Sequence, residues 1–444
     1  MPPVSQGVRL QDPSAGTLPL VMSTAPHHAA PSEPTRVLFI NDTSRNGGPG
    51  KTLLCLLRFL DPRRINRTVL LPREDTVSAD IRSHNAADTL IIEPALLENV
   101  QQPVNRAMTR EDFSAPLPLR TGRSVFNVLR ATAGLFRLIR RVRKERYQLI
   151  FCNGTTANLV GGVVAMATGV PAIWHVFYPD VPAPIRGLHR FLARSSAVRA
   201  IFCVSAAVSG QFAQCRDKTS LTHDALDLEE FQPSASTARL RQELNLPPES
   251  VIFGAHGRVI RRKGFVELVQ AAHAVLSRLS PEEKALCHFV ILGDTPQDMA
   301  EDHLRTCQEL AHSLGLDRQV HFLGFRADVI PYVSDFDVVL VPSVYPDPLP
   351  RAVMEAMALS RPVIAFDMGG IGEMITDGVQ GRLLCGAPPD IDGMAEACLA
   401  YFHAPALRLA HGQAGRARVE REFEARTHAQ SMQEAMLRFA RSAP

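Results

Sequence analysis

Short apolar runs rich in β-branched residues alternate along the chain with segments that have the periodicity of amphipathic helices. In the first half these apolar runs lie at 35–42, 67–71, 88–92, 148–155, 170–180 and 199–212. In the second half they lie at 251–256, 288–293, 319–324, 337–341, 362–366 and 380–384. Strands that alternate with helices pair in parallel, because each crossover helix returns the chain in the same direction. The pattern predicts an α/β fold with two Rossmann-like, doubly wound parallel sheets.

The length of the chain predicts two domains. A chain of 444 residues with 45% hydrophobic residues is too long for one hydrophobic core. Residues 1–34 are rich in Pro, Ser and Ala without periodicity, which predicts a disordered tail. A Pro- and Ser-rich shift at 232–237 marks the connection between domains. We place the first domain at 35–222, the second at 223–424 and a terminal helix at 425–444.

Two loops of the second half carry the charged residues that suggest a ligand. The apolar run 251–256 leads into Arg258 and Lys263, which stand just before a helical pattern. Cations beside a helix N-terminus attract an anion, because free N–H groups and the helix dipole add to their field. A later loop holds Asp347, and Glu355 follows on the helix after it. Cations for a diphosphate and acids for sugar hydroxyls together predict a nucleotide-sugar pocket at the carboxyl ends of the strands.

The segments that carry these residues resemble a known family of enzymes. GRVIRRKG and DPLPRAVMEAMALSRPVIAFDMGGIGEMITDGVQGRLL are similar to the signature of family 4 retaining glycosyltransferases with the GT-B fold. The resemblance covers most of 36–440 and is strongest from 251 to 384. It implies two domains that face each other across a cleft, the first binding the acceptor and the second the nucleotide sugar. It also implies that the terminal helix crosses back to the first domain.

The resemblance also implies roles for individual residues. Arg258 and Lys263 are expected to bind the donor's diphosphate, Glu355 its ribose and Asp347 the transferred sugar. The family usually has Glu at the position of Asp347, so this carboxylate is retracted by roughly 1.3 Å. His175 at a strand end is expected beside the donor sugar and the acceptor. A histidine on an apolar strand is, however, more often a core residue.

Two glycine-rich turns are expected near the donor. Gly47 and Gly48 follow the first strand, and Gly369 and Gly370 follow a strand of the second half. Without a Cβ atom, the backbone at these positions can approach a ligand closely. A tight strand–helix turn without a ligand is the alternative for the first pair. Glu373 is either a donor ligand or an acid favoured by a helix N-terminus.

The sequence also offers two motifs that suggest a metal or ATP, and neither is favoured. GPGKT is similar to a P-loop, but Arg45 stands where the motif requires its first glycine. Asp335 and Asp337 form a D-x-D, but Asp337 starts a buried strand. In the family that the chain resembles, cations take the role of the metal. We therefore expect no metal ion and no cofactor beyond a UDP- or GDP-sugar as the donor substrate.

The expected reaction is transfer of a sugar from the nucleotide donor to an acceptor hydroxyl, with retention of anomeric configuration. The expected acceptor is a lipid-linked or cell-envelope glycan, as in the biosynthesis of polysaccharide or lipopolysaccharide. A GT-B nucleotide-sugar epimerase or phosphorylase is an alternative with the same fold. A second alternative is a non-catalytic subunit that binds nucleotide sugars.

Charge is distributed unequally between the two halves. Residues 1–220 hold 27 Lys and Arg against 15 Asp and Glu, and the remainder holds 21 against 30. The segment 123–147 reads as a basic amphipathic helix, a type that binds anionic bilayer surfaces. We expect membrane contact through 123–146, with an ordinary solvated helix as the alternative. No nucleic-acid-binding signature is present, so nucleic acid is not an expected partner.

Other sequence features indicate where the protein works. Eight scattered cysteines without a C-x-x-C pair predict buried thiols rather than disulfides or a zinc site. No apolar run is long enough to cross a membrane, and the N-terminus lacks the order of a signal peptide. These features predict a cytoplasmic protein, peripheral on the inner face of the membrane if the basic helix binds there.

Overall fold

A computed structural model describes residues 33–42, 47–97, 117–233, 238–296, 299 and 301–441. Within these residues the chain forms one parallel sheet of seven strands and one of six, both flanked by helices. The predicted α/β fold with two parallel sheets is confirmed. The predicted tail 1–34 lies outside the described residues except for its last two positions.

The first sheet has the strand order β3-β2-β1-β4-β5-β6-β7. Its strands are β1 (Thr35–Asn41), β2 (Ile65–Leu71), β3 (Thr89–Ile92), β4 (Leu149–Asn153), β5 (Ala172–Val176), β6 (Val198–Cys203) and β7 (Thr219–Leu221). The last of these was missed by the sequence analysis. It has three residues, none of them buried, at the edge of the sheet, so it leaves no apolar run in the sequence.

The helices of the first domain lie on both faces of this sheet. They are α1 (Gly48–Phe59), α2 (Thr76–Ser83), α3 (Leu117–Lys144), α4 (Thr155–Thr168), α5 (Ala183–Arg194) and α6 (Ala206–Ser209), followed by a 3-10 stretch at Gly210–Lys218. The order of the strands reverses between β1 and β4, so chain connections leave these two strands toward opposite faces. Such a switch point opens a crevice at the carboxyl ends of the two strands.

The second sheet has the order β10-β9-β8-β11-β12-β13 and its own switch point between β8 and β11. Its strands are β8 (Val251–His256), β9 (Cys287–Leu292), β10 (Val320–Gly324), β11 (Val338–Val341), β12 (Val363–Asp367) and β13 (Gly381–Cys385). All six lie within one residue of the bounds predicted from the sequence. The apolar runs of the four inner strands β9, β8, β11 and β12 are buried on both faces, which is why the pattern identifies them so clearly, whereas the edge strands β10 and β13 are mostly half-buried.

The helices of the second domain complete the chain. They are α7 (Arg239–Glu243), α8 (Phe265–Arg278), α9 (Pro281–Lys284), α10 (His303–Ser313), α11 (Ile330–Val333), α12 (Arg351–Ala358), α13 (Ile371–Met374), α14 (Ile391–His403), α15 (Pro405–Glu422) and α16 (Ala425–Phe439). A short 3-10 turn, Arg261–Lys263, lies between β8 and α8. No described helix combines the length and apolar character needed to cross a membrane.

The chain passes between the two domains at two adjacent places. The N–H of Leu226 donates to the carbonyl of Phe423, and the N–H of Ala425 donates back to Leu226. Beyond this crossing, α16 packs on α1 and buries Met432 and Met436 in the core of the first domain. The boundaries predicted at 222/223 and 424/425 lie near these crossings, and they stay our proposal for the limits of the domains.

The basic helix of the first domain begins earlier than the sequence indicates. The sequence analysis places it at 123–147, whereas α3 spans Leu117–Lys144. Prolines at 116 and 118 suggest a loop, but Pro118 falls in the first turn, where a missing N–H costs nothing. The helix buries Leu138 and Val142 and leaves Phe126 and Phe136 58% and 68% exposed.

All eight cysteines lie within the described residues and are free thiols. Six of them are buried, as the sequence predicts, and Cys385 is exposed. Burial raises the pKa of the Cys55 thiol to about 12, so this half-buried thiol stays protonated at neutral pH.

A buried carboxylate joins β1 to α4 at the first switch point. Asp42 follows β1 directly and accepts hydrogen bonds from the backbone N–H groups of Thr156 (2.6 Å) and Ala157 (3.3 Å). A Cβ atom at Gly154, whose φ is 117°, would lie 2.1 Å from the Asp42 carboxylate, so only glycine fits this approach. Burial raises the pKa of Asp42 to about 6 despite these hydrogen bonds.

The substitution Asp42→Asn should remove a pH dependence of stability. Because the native pKa of Asp42 is raised, its native carboxyl keeps a proton between about pH 4 and pH 6 that the unfolded chain releases. Asp42 therefore lowers the free energy of unfolding as pH rises through this window, by at most about 3 kcal/mol. In denaturant titrations, the advantage of wild type over D42N should shrink from pH 4 to pH 6. An equal pH profile for D42N, wild type and the exposed-site control D80N would contradict this account.

Candidate functional site

The carboxyl ends of β8 and β11 bring together the charged loops that the sequence singled out. The loop after β8 carries Arg258 and Lys263, and the loop after β11 carries Asp347. The Lys263 ammonium forms an ion pair with the Asp347 carboxylate. Asp347 also accepts a hydrogen bond from the Ser343 hydroxyl at 3.2 Å and is only 9% exposed. The predicted diphosphate cation and the predicted sugar acid are therefore direct neighbours.

Glycine makes this arrangement of loops possible. Gly264 separates the cations from α8 with a φ of 73°, and a Cβ atom there would lie 1.7 Å from the Pro342 carbonyl oxygen. Only glycine allows the β8 loop to pack against the end of β11 so closely. Gly264 has no side chain to cap α8, and among the described residues no side chain accepts a hydrogen bond from the first N–H groups of this helix.

Gly369 and Gly370 hold the next loop against the same site. The N–H of Gly370 donates to the Asp347 carbonyl at 2.7 Å. A Cβ atom at Gly369 would lie 2.3 Å from that carbonyl oxygen, and one at Gly370 would lie 1.9 Å from the Pro348 carbonyl oxygen. The contacts that require glycine here are with the Asp347 loop. A direct approach of these glycines to the donor stays a prediction.

Glu355 lies in the first turns of α12 and is buried as an ionised group. Its carboxylate contacts His256 Nε2 at 2.8 Å and Arg351 Nε at 3.3 Å. Burial opposes ionisation, but the His256 hydrogen bond and the Arg351 and Lys51 charges outweigh it and lower the pKa of Glu355 to about 2. Glu355 is therefore an acceptor of hydrogen bonds at every physiological pH.

The N-terminus of α1 faces this acid from the first domain. Gly47 caps the helix without a side-chain hydrogen bond, and Lys51 lies in its first turn, exposed. The Cβ position of Gly48 lies 3.9 Å from Arg351 Cδ, so the glycine turn and α12 meet across the cleft. Arg351 also donates to the Ala225 carbonyl at 3.4 Å, in the segment that connects the domains.

Arg258 is exposed and forms no ion pair with any residue in the described part of the chain. Its neighbour Arg262 stacks on the ring of Tyr345 at 4.8 Å. Burial raises the pKa of Tyr178, and the charges of Arg258 and Arg262 act against that rise. Tyr178 follows β5 of the first domain, so the cationic loop approaches the opposite wall of the cleft. Among the described residues, no carboxylate therefore neutralises the Arg258 guanidinium.

Glu373 contacts the first domain. Its carboxylate accepts hydrogen bonds from the backbone N–H of Ala206 at 2.8 and 2.9 Å and from Ala207 at 3.4 Å. His223 Nε2 lies 3.3 Å from the same carboxylate. Of the two alternatives for Glu373, an acid at a helix start fits this geometry, although the helix is α6 of the opposite domain. A donor contact by Glu373 stays a prediction.

His175 lies in the core at the carboxyl end of β5. Its side chain is fully buried, its Nδ1 lies 3.2 Å from the Asn153 side-chain oxygen, and its ring packs 4.4 Å from that of Phe177. Burial lowers the pKa of His175 to about 3, so the ring is neutral at physiological pH. Its Nε2 has no partner among the described residues. A direct contact with the sugar stays a prediction, and this packing would have to open for it.

The two motifs that suggest ATP or metal have structural roles. In GPGKT, the Thr52 hydroxyl donates to the Gly48 carbonyl at 3.0 Å and contacts the Asp224 carboxylate. In the D-x-D, Asp335 accepts the N–H of Leu240 at 2.8 Å, and Asp337 pairs with Arg241 at 2.8 Å. Across the described ranges, no group of three or more His, Cys, Asp or Glu is arranged to hold a metal ion.

His256 and Arg351 are the site residues that the sequence analysis missed. A signal for Arg351 was present, because it stands four residues before Glu355 on one helix and positions four apart meet on a helix surface. His256 ends β8 two residues before Arg258. Its contact with Glu355 joins positions 99 residues apart, so no local pattern reports it.

Comparison with known proteins agrees with this geometry. Residues 250–403 match the family described as glycosyl transferases group 1. The chain is 31% identical over 242 residues to the alpha-maltose-1-phosphate synthase of Mycobacterium tuberculosis, a match covering 51% of this chain and 60% of that protein. The chain thus spans less than two thirds of that relative's length.

A second relative and a solved structure extend the comparison. The chain is 22% identical over 282 residues to the Escherichia coli UDP-Gal:alpha-D-GlcNAc-diphosphoundecaprenol alpha-1,3-galactosyltransferase, covering 58% of this chain and 67% of that one. Anabaena Alr3699/HepE in complex with UDP-glucose superimposes with a TM-score of 0.73 at 20% identity, over 91% of this chain and 99% of that one. The predicted resemblance is confirmed by the family match, and the predicted GT-B fold by the superposition. Residues 250–403 therefore match glycosyl transferases group 1, within a chain that has the GT-B fold.

Proposed function

We propose that this protein is a retaining glycosyltransferase that moves a sugar from a nucleoside-diphosphate donor to an acceptor hydroxyl. The observation that carries the proposal is the shared cleft. Arg258 and Lys263, the acids Asp347 and Glu355, and the N-terminus of α1 converge at the carboxyl ends of the strands. Cations that neutralise a diphosphate and carboxylates that accept sugar hydroxyls are the groups such a donor needs.

Each part of the donor has a partner in this arrangement. Arg258 and Lys263 bind the diphosphate, together with the N–H groups at the start of α8. Glu355 accepts hydrogen bonds from the ribose hydroxyls, and Asp347 does so from the transferred sugar. Because Lys263 is paired with Asp347 before the donor binds, the lysine divides its three donors between that acid and the phosphate. The donor is a UDP- or GDP-sugar, and the Anabaena neighbour's complex with UDP-glucose favours UDP.

The glycine turns complete the donor pocket in this proposal. Gly47 and Gly48 bring the N-terminus of α1 close to the diphosphate, and Gly369 and Gly370 bring the loop after β12 beside the sugar. Glu373 closes the cleft from the second domain by its contact with α6. These assignments rest on the resemblance and on the positions of the turns.

Catalysis in this proposal is electrostatic. As the bond between the anomeric carbon and the phosphate oxygen breaks, negative charge builds on the leaving diphosphate, where Arg258 and Lys263 stabilise it. The acceptor oxygen forms the new bond on the same face, and its proton passes to the departing phosphate. Asp42 is a buried acid of the first domain, but its carboxylate already accepts hydrogen bonds from backbone N–H groups. It is therefore not offered as a covalent nucleophile, and no metal ion enters the proposed mechanism.

The first domain is proposed to bind the acceptor, with His175 below its wall of the cleft. The Escherichia coli relative is named for a lipid-linked sugar acceptor, which favours a lipid-linked or cell-envelope glycan here. The exposed aromatic residues on α3 support the same idea, because Phe126 and Phe136 stand beside a row of arginines. We propose that α3 contacts an anionic membrane surface from the cytoplasmic side.

The proposed transferase and its two alternatives differ in the reaction that the purified protein catalyses. An epimerase or phosphorylase of the same fold would convert the donor without a sugar acceptor, and a binding subunit would turn over nothing alone. Purified protein is incubated with UDP- and GDP-sugars, with and without lipid extracts, and the products are identified by mass spectrometry and anomeric NMR. Acceptor-dependent transfer with retained configuration supports the proposal. Donor conversion without acceptor, or nucleotide binding without turnover, supports the alternatives.

Replacing both cations should abolish most of the activity. Removing one such charge-stabilising donor raises the barrier by roughly 2–4 kcal/mol, or about a hundredfold in rate. The double variant Arg258→Ala/Lys263→Ala should therefore lose at least that factor in kcat for transfer. R278A/K284A is the matched control, because it also removes one arginine and one lysine, at the end of α8 and in the short helix α9 that follows it. Wild-type turnover by R258A/K263A would contradict the mechanism.

Reversing charge on α3 should weaken membrane binding. Each cation near an anionic bilayer contributes about 1 kcal/mol, so R130E/R137E/R140E should bind vesicles of anionic lipid at least about a hundredfold more weakly at low salt. The control R305E/R318E/R438E makes the same charge change at exposed positions elsewhere. Flotation of both variants with vesicles measures the difference. Equal binding by the two variants, or none by wild type, would contradict the proposed membrane contact.

A further inference from the structure

His256 is a buried histidine at the edge of the site, and the proposed mechanism gives it no function. It ends β8, and its side chain is 5% exposed. Its Nε2 lies 2.8 Å from one oxygen of Glu355, while Arg351 Nε lies 3.3 Å from the other. Within the described part of the chain, each carboxylate oxygen therefore has one side-chain partner. An ionised carboxylate accepts about four hydrogen bonds, which leaves capacity for two ligand hydroxyls.

The chemistry of this contact fixes which group donates. The Glu355 carboxylate is ionised and can only accept, so the hydrogen must be on Nε2 of His256. The hydrogen bond that Nε2 donates fixes the orientation of the plane of the Glu355 carboxylate. Arg351 alone would leave the second oxygen of a buried carboxylate without a fixed partner, which costs free energy and lets the group rotate.

We infer that His256 is a positioning residue for the proposed nucleotide site, because it holds the Glu355 carboxylate in the orientation that accepts the ribose hydroxyls. This inference rests on the proposed function, in which Glu355 binds the ribose. His256 does not need to touch the ligand for this role. It acts from the same strand end that leads into Arg258, so β8 places both the diphosphate cation and the orientation of the ribose acid.

The position of His256 in the strand makes the arrangement rigid. β8 is the central strand next to the switch point and pairs with both β9 and β11. The backbone N–H of the following Gly257 donates to the Leu292 carbonyl at 2.9 Å, so the strand end is held on the β9 side. The imidazole is therefore carried by fixed backbone, whereas Glu355 has a longer and more flexible side chain. The histidine sets the position, and the glutamate follows it.

The test separates a role in ribose binding from a general role in folding. Calorimetry measures the affinities of wild type and His256→Leu for UDP, GDP and their 2′,3′-dideoxy counterparts. Loss of a hydrogen bond to a charged group corresponds to about tenfold or more in affinity, so H256L should bind the preferred ribonucleotide at least that much more weakly. The dideoxy nucleotide offers no hydroxyls to Glu355, so H256L and wild type should bind it equally.

Two further variants provide the controls. H256Q places an amide near the position of Nε2 and should recover most of the ribonucleotide affinity, whereas H256N, whose amide ends near the position of Nδ1, should not. This pair makes the same comparison if H256L is unstable. H273L removes an exposed histidine of α8 and should change nothing. Unchanged ribonucleotide affinity in H256L and H256N, or an equal loss for both kinds of nucleotide, would overturn the inference.

Nucleotide binding by a Glu355 variant distinguishes a failure of this inference from a failure of the proposed function. If Glu355→Gln binds the ribonucleotide as wild type does, the proposed ribose contact is wrong and the inference falls with it. If E355Q loses discrimination between ribonucleotide and dideoxynucleotide while H256L keeps it, the ribose contact stands and only the role of His256 is wrong. Loss of discrimination in both variants supports both statements.

Discussion

A buried, ionised carboxylate governs the arrangement of the site. Glu355 remains charged in a desolvated position because His256 and Arg351 each contact one of its oxygens. An uncompensated charge at such a depth would cost several kcal/mol. The end of β8, the start of α12 and, through Arg351 and the Ala225 carbonyl, the connection between the domains must therefore stay together. The acid that is proposed to bind the ribose is thus linked, through Arg351, to the segment that connects the domains.

Close backbone packing fixes the second acid in the same way. The loop after β11 lies between two glycine turns, and neither Gly264 nor Gly369 has room for a Cβ atom. This packing brings the Asp347 carboxylate to Lys263 and leaves Arg258 exposed and unpaired among the described residues. The shorter side chain of Asp347 is compatible with that ion pair. One cation of the site, Lys263, is ion-paired with an acid, and the other, Arg258, is not. Such a pair of cations is suited to a ligand that carries more than one negative charge.

The sequence predicts those features that local patterns encode. Every strand of the second sheet follows from its apolar run, and Lys263 and Asp347 follow from their place after such runs. The edge strand Thr219–Leu221 has no buried residue and could not be predicted this way. His256 escaped because a contact across 99 residues leaves no local spacing. The sequence suggests that Glu373 stabilises the start of its own helix, but its partner is the N-terminus of α6 in the other domain. This contact depends on how the two domains are placed, which no local pattern reports.

A structure of the protein with UDP or GDP bound would test the central claim most directly. The account predicts diphosphate oxygens within hydrogen-bonding distance of Arg258 and Lys263, and the ribose hydroxyls on the Glu355 carboxylate. It also predicts that His256 keeps its hydrogen bond to that carboxylate in the complex. A nucleotide bound elsewhere, or bound in this cleft with its phosphates away from both cations, would contradict the account.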